Sequence, residues 1–394
     1  MTRNQAGRLG VTSAALLCLT LAAACGSPGP SHSRPSEASS AGPASPAAAT
    51  SPAPGTVGSP PVKRADFLAG VSCTSRTSCL AAGSYYYGAS GPQHPLVERW
   101  DGTSWQVQSL PADARDGVLT AISCAGAGSC TAVGSPVIGW NGSRWSIELR
   151  SSPFTAVSCP ALSSCVAVGT SQSGTPEAGA WNGRRWRVGP MAGLPGYVQS
   201  VTVAGVSCWA PTGCLAVGDY SYGATAQPTA RYRDRALAEY WNGVRWEIVP
   251  PPDVARRDRL IAVSCAGPRS CLAVGSVRAK LTLAERWDGG NWHVQRAANF
   301  GRLGYNELTG VSCWSVVRCV AVGSYSLGVP FADIYNGQRW RLSLLPAGPR
   351  QAITGPAVSC VPAWCEAAGS AAGVAFTAGW DGLAWRPQPT PNPR

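Results

Sequence analysis

The sequence predicts an all-β fold, a seven-bladed β-propeller with four antiparallel strands and one disulfide per blade. Three observations predict it. A cysteine pair recurs seven times, a tryptophan-flanked turn recurs in step with it, and about 47 residues separate successive copies.

The cysteine pairs are Cys73/Cys79, Cys124/Cys130, Cys159/Cys165, Cys208/Cys214, Cys265/Cys271, Cys313/Cys319 and Cys360/Cys365. Each opens as Ser-Cys, and the seventh is one residue shorter than the rest. A stretch such as Leu215 to Gly218 follows the second Cys, then a variable segment, then Trp-Asn/Asp-Gly-x-x-Trp. That turn motif begins at Trp100, Trp140, Trp181, Trp241, Trp287 and Trp380, with Tyr335 in the sixth copy. First-Cys spacings are 51, 35, 49, 57, 48 and 47. Coupled motifs at such a period mark a repeat architecture.

Each copy reads as four strands. Val-Ser-Cys and Cys-Leu-Ala-Val-Gly flank a Ser- and Gly-rich turn, which gives strands A and B. The Asn-Gly or Asp-Gly pair between two Trp is a strong hairpin signal and joins strands C and D. Small residues such as Ser207, Cys208, Ala216 and Gly218 suit inner strands crowded around an axis. Pro111, Pro250, Pro346 and Pro387 near the ends of strand D suit an outer edge, where a missing N–H costs no ladder bond. A row of independent modules would leave both faces of every sheet in water, so a closed ring is expected. Seven complete copies offer no strand exchanged between the first and last blades.

Five residues between cysteines is wide for zinc, and only three His are present. Cross-strand hairpin positions lie within disulfide reach. Seven within-blade disulfides are therefore expected, each stabilising by roughly 2 kcal/mol. The thirteen Trp at repeat positions are expected to fill the core or the contacts between blades. Trp209, Trp314 and Trp364 stand outside that pattern, in the A–B turns.

The N-terminus supplies an address. Arg3 and Arg8 precede an apolar run from Leu9 to Ala24, too short to span a bilayer and suited to a signal peptide. Leu21-Ala22-Ala23-Ala24-Cys25 resembles a bacterial lipobox, which implies diacylglycerol on Cys25 as the mature N-terminus. Ala22 departs from the usual Leu, and simple cleavage after Ala24 with secretion is the competing expectation. Parity favours lipidation, because the fold's cysteines pair among themselves and Cys25 would otherwise be a lone thiol. The expected organisation is a signal peptide over 1–24, a lipid-anchored disordered linker over 25–61 and the propeller over 62–394. The linker is Ser, Pro, Ala and Gly, with a typical reach of ~30–36 Å.

The formal charge is +12, almost wholly from Arg, since Lys occurs only at 63 and 280. The Arg residues are scattered and no basic helix is readable, so nucleic acid is not an expected partner. The repeat resembles those of uncharacterised secreted or lipid-anchored actinobacterial propellers, within the kelch and galactose-oxidase-like grouping. That resemblance spans Arg64 to Pro391 and implies an architecture, not an activity. The turn also resembles the Asp-box of sialidases but lacks its residue between Asp and Gly, and the copper-oxidase chemistry of the grouping needs His ligands that are missing here. No cofactor or metal is expected.

In a propeller the A–B and C–D turns emerge on one face, and the B–C and D–A connections on the other. The second set carries the individuality of this sequence, so binding is expected there. Its candidate ligand-binding residues are Tyr85, Tyr86, Tyr87 and His94 in the first blade; Tyr220, Tyr222, Arg231, Arg233 and Arg235 in the fourth; Arg256, Arg257 and Arg259 beyond it; and Tyr325 in the sixth. Tyr offers flat amphipathic area and Arg forks onto phosphate or carboxylate, which suits an envelope glycan, an anionic polymer or a protein partner. Asp234, Asp253 and Asp258 partly offset the Arg cluster. The expected function is cell-surface binding or scaffolding. The alternative is a glycan-cleaving enzyme, which needs only two carboxylates. Glu98, Glu239, Glu285 and Asp333 are available, each two residues before the first aromatic of the turn motif. They recur at one repeat position, as structural residues do, and no nucleophile motif or phosphate loop is visible.

Overall fold

The computed structural model describes residues 64–391, apart from 89–90, 195, 197, 223–232, 279, 302–303, 327 and 347–352, and the side chains of 353 and 354. The expected signal peptide, Cys25, the linker and Arg231 lie outside the described residues.

Twenty-eight strands form seven four-stranded antiparallel sheets, each built from consecutive strands. The blades span Arg64–Val107, Val118–Leu149, Phe154–Pro190, Val198–Ile248, Asp258–Gln295, Asn306–Leu344 and Ile353–Gln388. Among the described residues there is no helix. Strand A of each blade packs against strand A of the next around the ring, and that of blade 7 against that of blade 1.

The apolar residues sort into seven clusters, each shared by two adjacent blades. Leu68, Leu96 and Trp105 of blade 1, for example, pack with Ala368 and Ala375 of blade 7. Burial therefore requires the ring, which is why independent modules would be unstable.

Three repeat residues have definite tasks. The Ser of each Ser-Cys accepts the N–H of the Cys in the following blade, at 2.9–3.0 Å in all seven cases. The last of these, Cys73 N–H to Ser359 Oγ, closes the ring with no exchanged strand. Asp66 N–H to the Gly373 carbonyl at 3.0 Å and Trp105 Nε1 to Gln388 Oε1 at 2.8 Å fasten the same seam. The Gly ending each Leu-Ala-Val-Gly lies against a bulge in strand A. A Cβ there would stand 1.8–2.1 Å from a strand-A carbonyl oxygen in six blades, as at Gly218 against Thr202.

The third task belongs to the turn between strands C and D. The side-chain oxygen of Asp101 accepts the N–H groups of Thr103 and Ser104, and the corresponding Asn or Asp does the same in every blade at 2.7–3.1 Å. The following Gly takes φ between 86° and 100°, open to Gly at little cost. The flanking aromatics face each other with ring centroids 5.1–6.4 Å apart.

All seven within-blade disulfides are present, with Cα atoms 3.9–4.0 Å apart: Cys73–Cys79, Cys124–Cys130, Cys159–Cys165, Cys208–Cys214, Cys265–Cys271, Cys313–Cys319 and Cys360–Cys365. The two ends of each bridge differ in their surroundings. The second cysteine stands on strand B, where Cys79, Cys130, Cys165, Cys214, Cys271, Cys319 and Cys365 are at most 4% exposed. Each of these seven belongs to one of the clusters shared by adjacent blades. Cys79 packs with Trp100 and Trp105, for example, and Cys365 with Trp380 and Trp385. The pairing is the one the repeat predicts in every blade, and the strand-B cysteine of each bridge is crosslinked core closed off by the neighbouring blade.

Candidate functional site

The B–C and D–A connections share one face, and the candidate residues stand there at three stations, in blades 1, 4 and 6. The second station runs on into strand A of blade 5, where Arg259 pairs with Glu307 of blade 6, so the second and third stations are linked and the first stands apart.

At the first station the Arg64 guanidinium lies 3.8 Å over the Tyr85 ring and its Nε donates to Asp66 Oδ1 at 2.6 Å. Tyr85 also meets His94, with ring centroids 5.0 Å apart, and the edge of Tyr87 at 5.8 Å. Tyr87 is 50% exposed. Tyr86, one residue on, points to the opposite side of the strand and stacks on Phe67 at 5.4 Å, so it is packing. His94 Nδ1 contacts the Arg115 carbonyl and lies 3.6 Å from Asp116. Arg64, Tyr85, His94, Leu110 and Arg115 line a cleft of about 530 Å³ between blade 1 and the connection to blade 2.

At the second station Tyr220 and Tyr222 pack at 6.0 Å, and the Arg235 guanidinium lies 5.0 Å over Tyr222. Arg235 is also ion-paired with Asp253 at 2.7 Å. Arg259 is claimed by Glu307 of blade 6, its Nε donating at 3.0 Å, while Ser276 Oγ donates to the same carboxylate. Burial pushes the Asp219 carboxyl up to about 6 although Arg259 pulls the other way. Asp234 is tied to Ser221 at 2.6 Å and Asp258 is buried, so of the three acids set against the cluster Asp253 is the one paired with an arginine among the described residues. The backbone of Arg256 and Arg257 is fixed: their carbonyls accept the N–H groups of Asp234 and Arg278. Their side chains are exposed, as is that of Arg233, and none of the three is in an ion pair among the described residues.

Tyr325, at the third station, backs onto Phe300 at 5.2 Å and supports the connection from blade 5. Sequence reading did not anticipate the low point of the rim. In blade 2 the B–C connection shrinks to Pro136, and a cleft of about 730 Å³ opens beside Thr120, Ser152, Thr170, Gln172 and Glu177. The 35-residue spacing from Cys124 to Cys159 was its signal.

The repeat-position carboxyls lie elsewhere. Glu98, Glu239, Glu285 and Asp333 occupy strand C, third from the axis, and all four are 0% exposed. Burial pushes them up to about 8, 7, 8 and 6 respectively. Glu239 accepts the N–H of Ala192 at 2.9 Å and Asp333 that of Ala298 at 2.6 Å, each from the connection crossing above it. Glu239 and Asp333 thereby fasten connections between blades, whereas the carboxyl oxygens of Glu98 and Glu285 have no hydrogen-bond partner among the described residues, and all four stand buried on strand C rather than on the central channel.

The fold is that of a β-propeller protein. No protein-family model and no curated protein matches the sequence. Among solved structures the chain is similar to the β-propeller domain of Cps50 (Swd1) from Myceliophteria thermophila, at 10% identity over 77% of this chain and 93% of that one, with a TM-score of 0.50. It is also similar to YCF48 bound to D1 peptide (12% identity, 84% and 95%, TM-score 0.49) and to the six-bladed fucose-binding lectin of Aleuria aurantia (12%, 84% and 97%, 0.46). At these identities the likeness shows a fold. Among the described residues no helix is long and apolar enough to cross a membrane, and no group of three or more His, Cys, Asp or Glu could hold a metal.

Proposed function

We propose that this is a binding and scaffolding propeller held on the outer face of the cell membrane by lipid on Cys25, and that the rim of blade 4 retains an anionic envelope polymer. The observation that carries the binding reading is the unequal use of arginine there. Arg235 and Arg259 are each held by a carboxylate, whereas Arg233, Arg256 and Arg257 are exposed beside Tyr220 and Tyr222 with no acidic partner among the described residues. Guanidiniums on a fixed backbone, beside flat amphipathic rings, suit repeated phosphate or carboxylate groups along a chain. Seven disulfides favour an extracytoplasmic site, and Cys25, the one cysteine left unpaired once Cys18 leaves with the expected signal peptide, favours the lipid anchor.

Retention on an immobilised glycerol-phosphate wall polymer tests the rim. The R233A/R256A/R257A variant should elute at distinctly lower salt than the parent, because each lost phosphate contact lowers the salt dependence. Unchanged elution refutes the rim. Fatty-acid labelling that survives Cys25→Ala refutes the anchor. Should neither glycans nor anionic polymers bind, the partner is a protein, to be sought by crosslinking at the cell surface.

A further inference from the structure

The face opposite the variable rim is built from the repeated turns, yet it is not uniform. Across its A–B and C–D turns stand eight Arg against three Asp. Between blades 6 and 7 this face holds a cleft of about 560 Å³ lined by Arg318, Arg339, Arg341, Trp340 and Trp380.

The repeat shows what is unusual there. In four blades the residue after the second Trp of the turn is matched to a partner in that turn. Arg386 meets Asp381 at 3.2 Å, His293 meets Asp288 at 2.7 Å, Gln106 meets Asp101 at 3.0 Å, and Glu247 meets Arg245 at 2.8 Å. In blade 6 that residue is Arg341 and the turn carries neutral Asn336, whose oxygen is taken by two turn N–H groups; blade 3 shares this in Arg187 and Asn182, so what sets blade 6 apart is the third guanidinium, Arg318. Arg318 replaces the Ser found at the same place in blades 1, 2, 3 and 5. All three Arg of the cleft are exposed and none forms an ion pair among the described residues. Asp381, beside the cleft residue Gly382, is spent on Arg386 and on the N–H groups of Leu383 and Ala384. Trp340 is half-buried along the wall. Trp380 is 7% exposed, with Trp314 packed 6.2 Å away. The cleft therefore joins uncompensated planar cations to an indole surface.

We propose that this cleft binds a carboxylated sugar, with the carboxylate held by the Arg318, Arg339 and Arg341 guanidiniums and the ring set against Trp340. A guanidinium fork matches a carboxylate in two parallel hydrogen bonds, and the apolar face of a sugar suits an indole. The site is independent of the blade 4 rim, which lies on the other face.

The test uses the intact protein with its disulfides formed, and trigalacturonate as probe, followed by calorimetry and by tryptophan fluorescence. Trigalacturonate should bind, neutral galactotriose should not, and R318Q/R341Q should weaken binding by about tenfold or more. R233A/R256A/R257A, at the rim, should leave it unchanged. The proposal is overturned by absence of trigalacturonate binding at millimolar concentration, by equal binding of galactotriose, or by R318Q/R341Q binding as the parent does. Competition by glycerol phosphate at equal concentration also overturns it, because the cleft would then read charge alone. The rim reading fails separately, on the polymer column, so each failure can be assigned.

Discussion

The buried carboxyls should make the stability of the ring fall as pH rises. Glu98 and Glu285 are enclosed between blades, and their carboxyl oxygens have no hydrogen-bond partner among the described residues. Burial lifts each from an ordinary 4.5 to about 8, and a neighbouring acid, Asp66 or Asp258, adds to the push. The unfolded chain loses these protons near pH 4.5, while the ring keeps them until about pH 8. Across that window the folded state binds more protons, so stability is lost with rising pH and the loss levels off above it. At about 1.4 kcal/mol per pH unit for each group, the step from pH 5 to pH 7 removes on the order of 3 kcal/mol per carboxyl. Glu239 and Asp333, lifted to about 7 and 6, act with the same sign. Asp101, Asp288 and Asp381, lowered to about 2 by hydrogen bonds, have the opposite sign but complete their effect in acid, below this window. Guanidinium titrations with the disulfides intact, at pH 5, 6, 7 and 8, should show a midpoint that declines with pH. In E98Q/E285Q the decline should be markedly shallower. A parent midpoint that is flat or rises, or a variant as pH-sensitive as the parent, would refute the assignment of buried neutral acids.

The ring bonds predict equal seams. Ser359→Ala, which strands the Cys73 N–H, and Ser207→Ala, which strands that of Cys265, should each cost about 1–2 kcal/mol in the same titration; a null effect at Ser359 alone would mean the ring is open there. Gly218→Ala drives a Cβ to 1.9 Å from the Thr202 carbonyl oxygen and should cost about 3 kcal/mol or more, whereas Gly189→Ala, with nothing within 4 Å, should be near neutral. Peptide mapping without reduction should return seven within-blade disulfides, and C265A/C271A should lose about 2 kcal/mol; a cross-blade link would contradict the fold.

The architecture was legible because it is written seven times. The turn residues, the inner Gly and the cysteine pairs each make contacts within one blade, and such local pairings leave a periodic trace. What joins blades was not legible. Ser207 and Cys265 are 58 positions apart and Ser359 and Cys73 are 286 apart, so the Ser of Ser-Cys reads only as part of a pattern until the ring is seen. The pairing of Cys214 with Cys208 is local and readable, but its burial against residues of blade 3 is not. The rim shows the same division. Its composition and its face follow from strand order, but the capture of Arg259 by Glu307 crosses from one blade to another. Tyr86 is different, since strand alternation alone turns it away from Tyr85 and Tyr87, and that signal was available.

A repeat also supplies its own controls, and this bears on where specificity resides. A side chain present in every blade, such as the Asx oxygen that closes the C–D turn, is explained by the blade itself. One that breaks the repeat and gains a partner nearby, such as Glu307 with Arg259, is explained by its neighbours. Arg318 breaks the repeat and gains none among the described residues, beside Arg341 in a blade where Asn336 holds the turn. Placing several guanidiniums around one cleft is unfavourable through mutual repulsion, screened but not abolished in water. No carboxylate among the described residues pairs with these three guanidiniums, which is the setting the proposed carboxylate ligand would complete. The variable rim is thus one source of individuality in this propeller, and a departure on the regular face is a second, visible only because the other copies show what the position ordinarily holds.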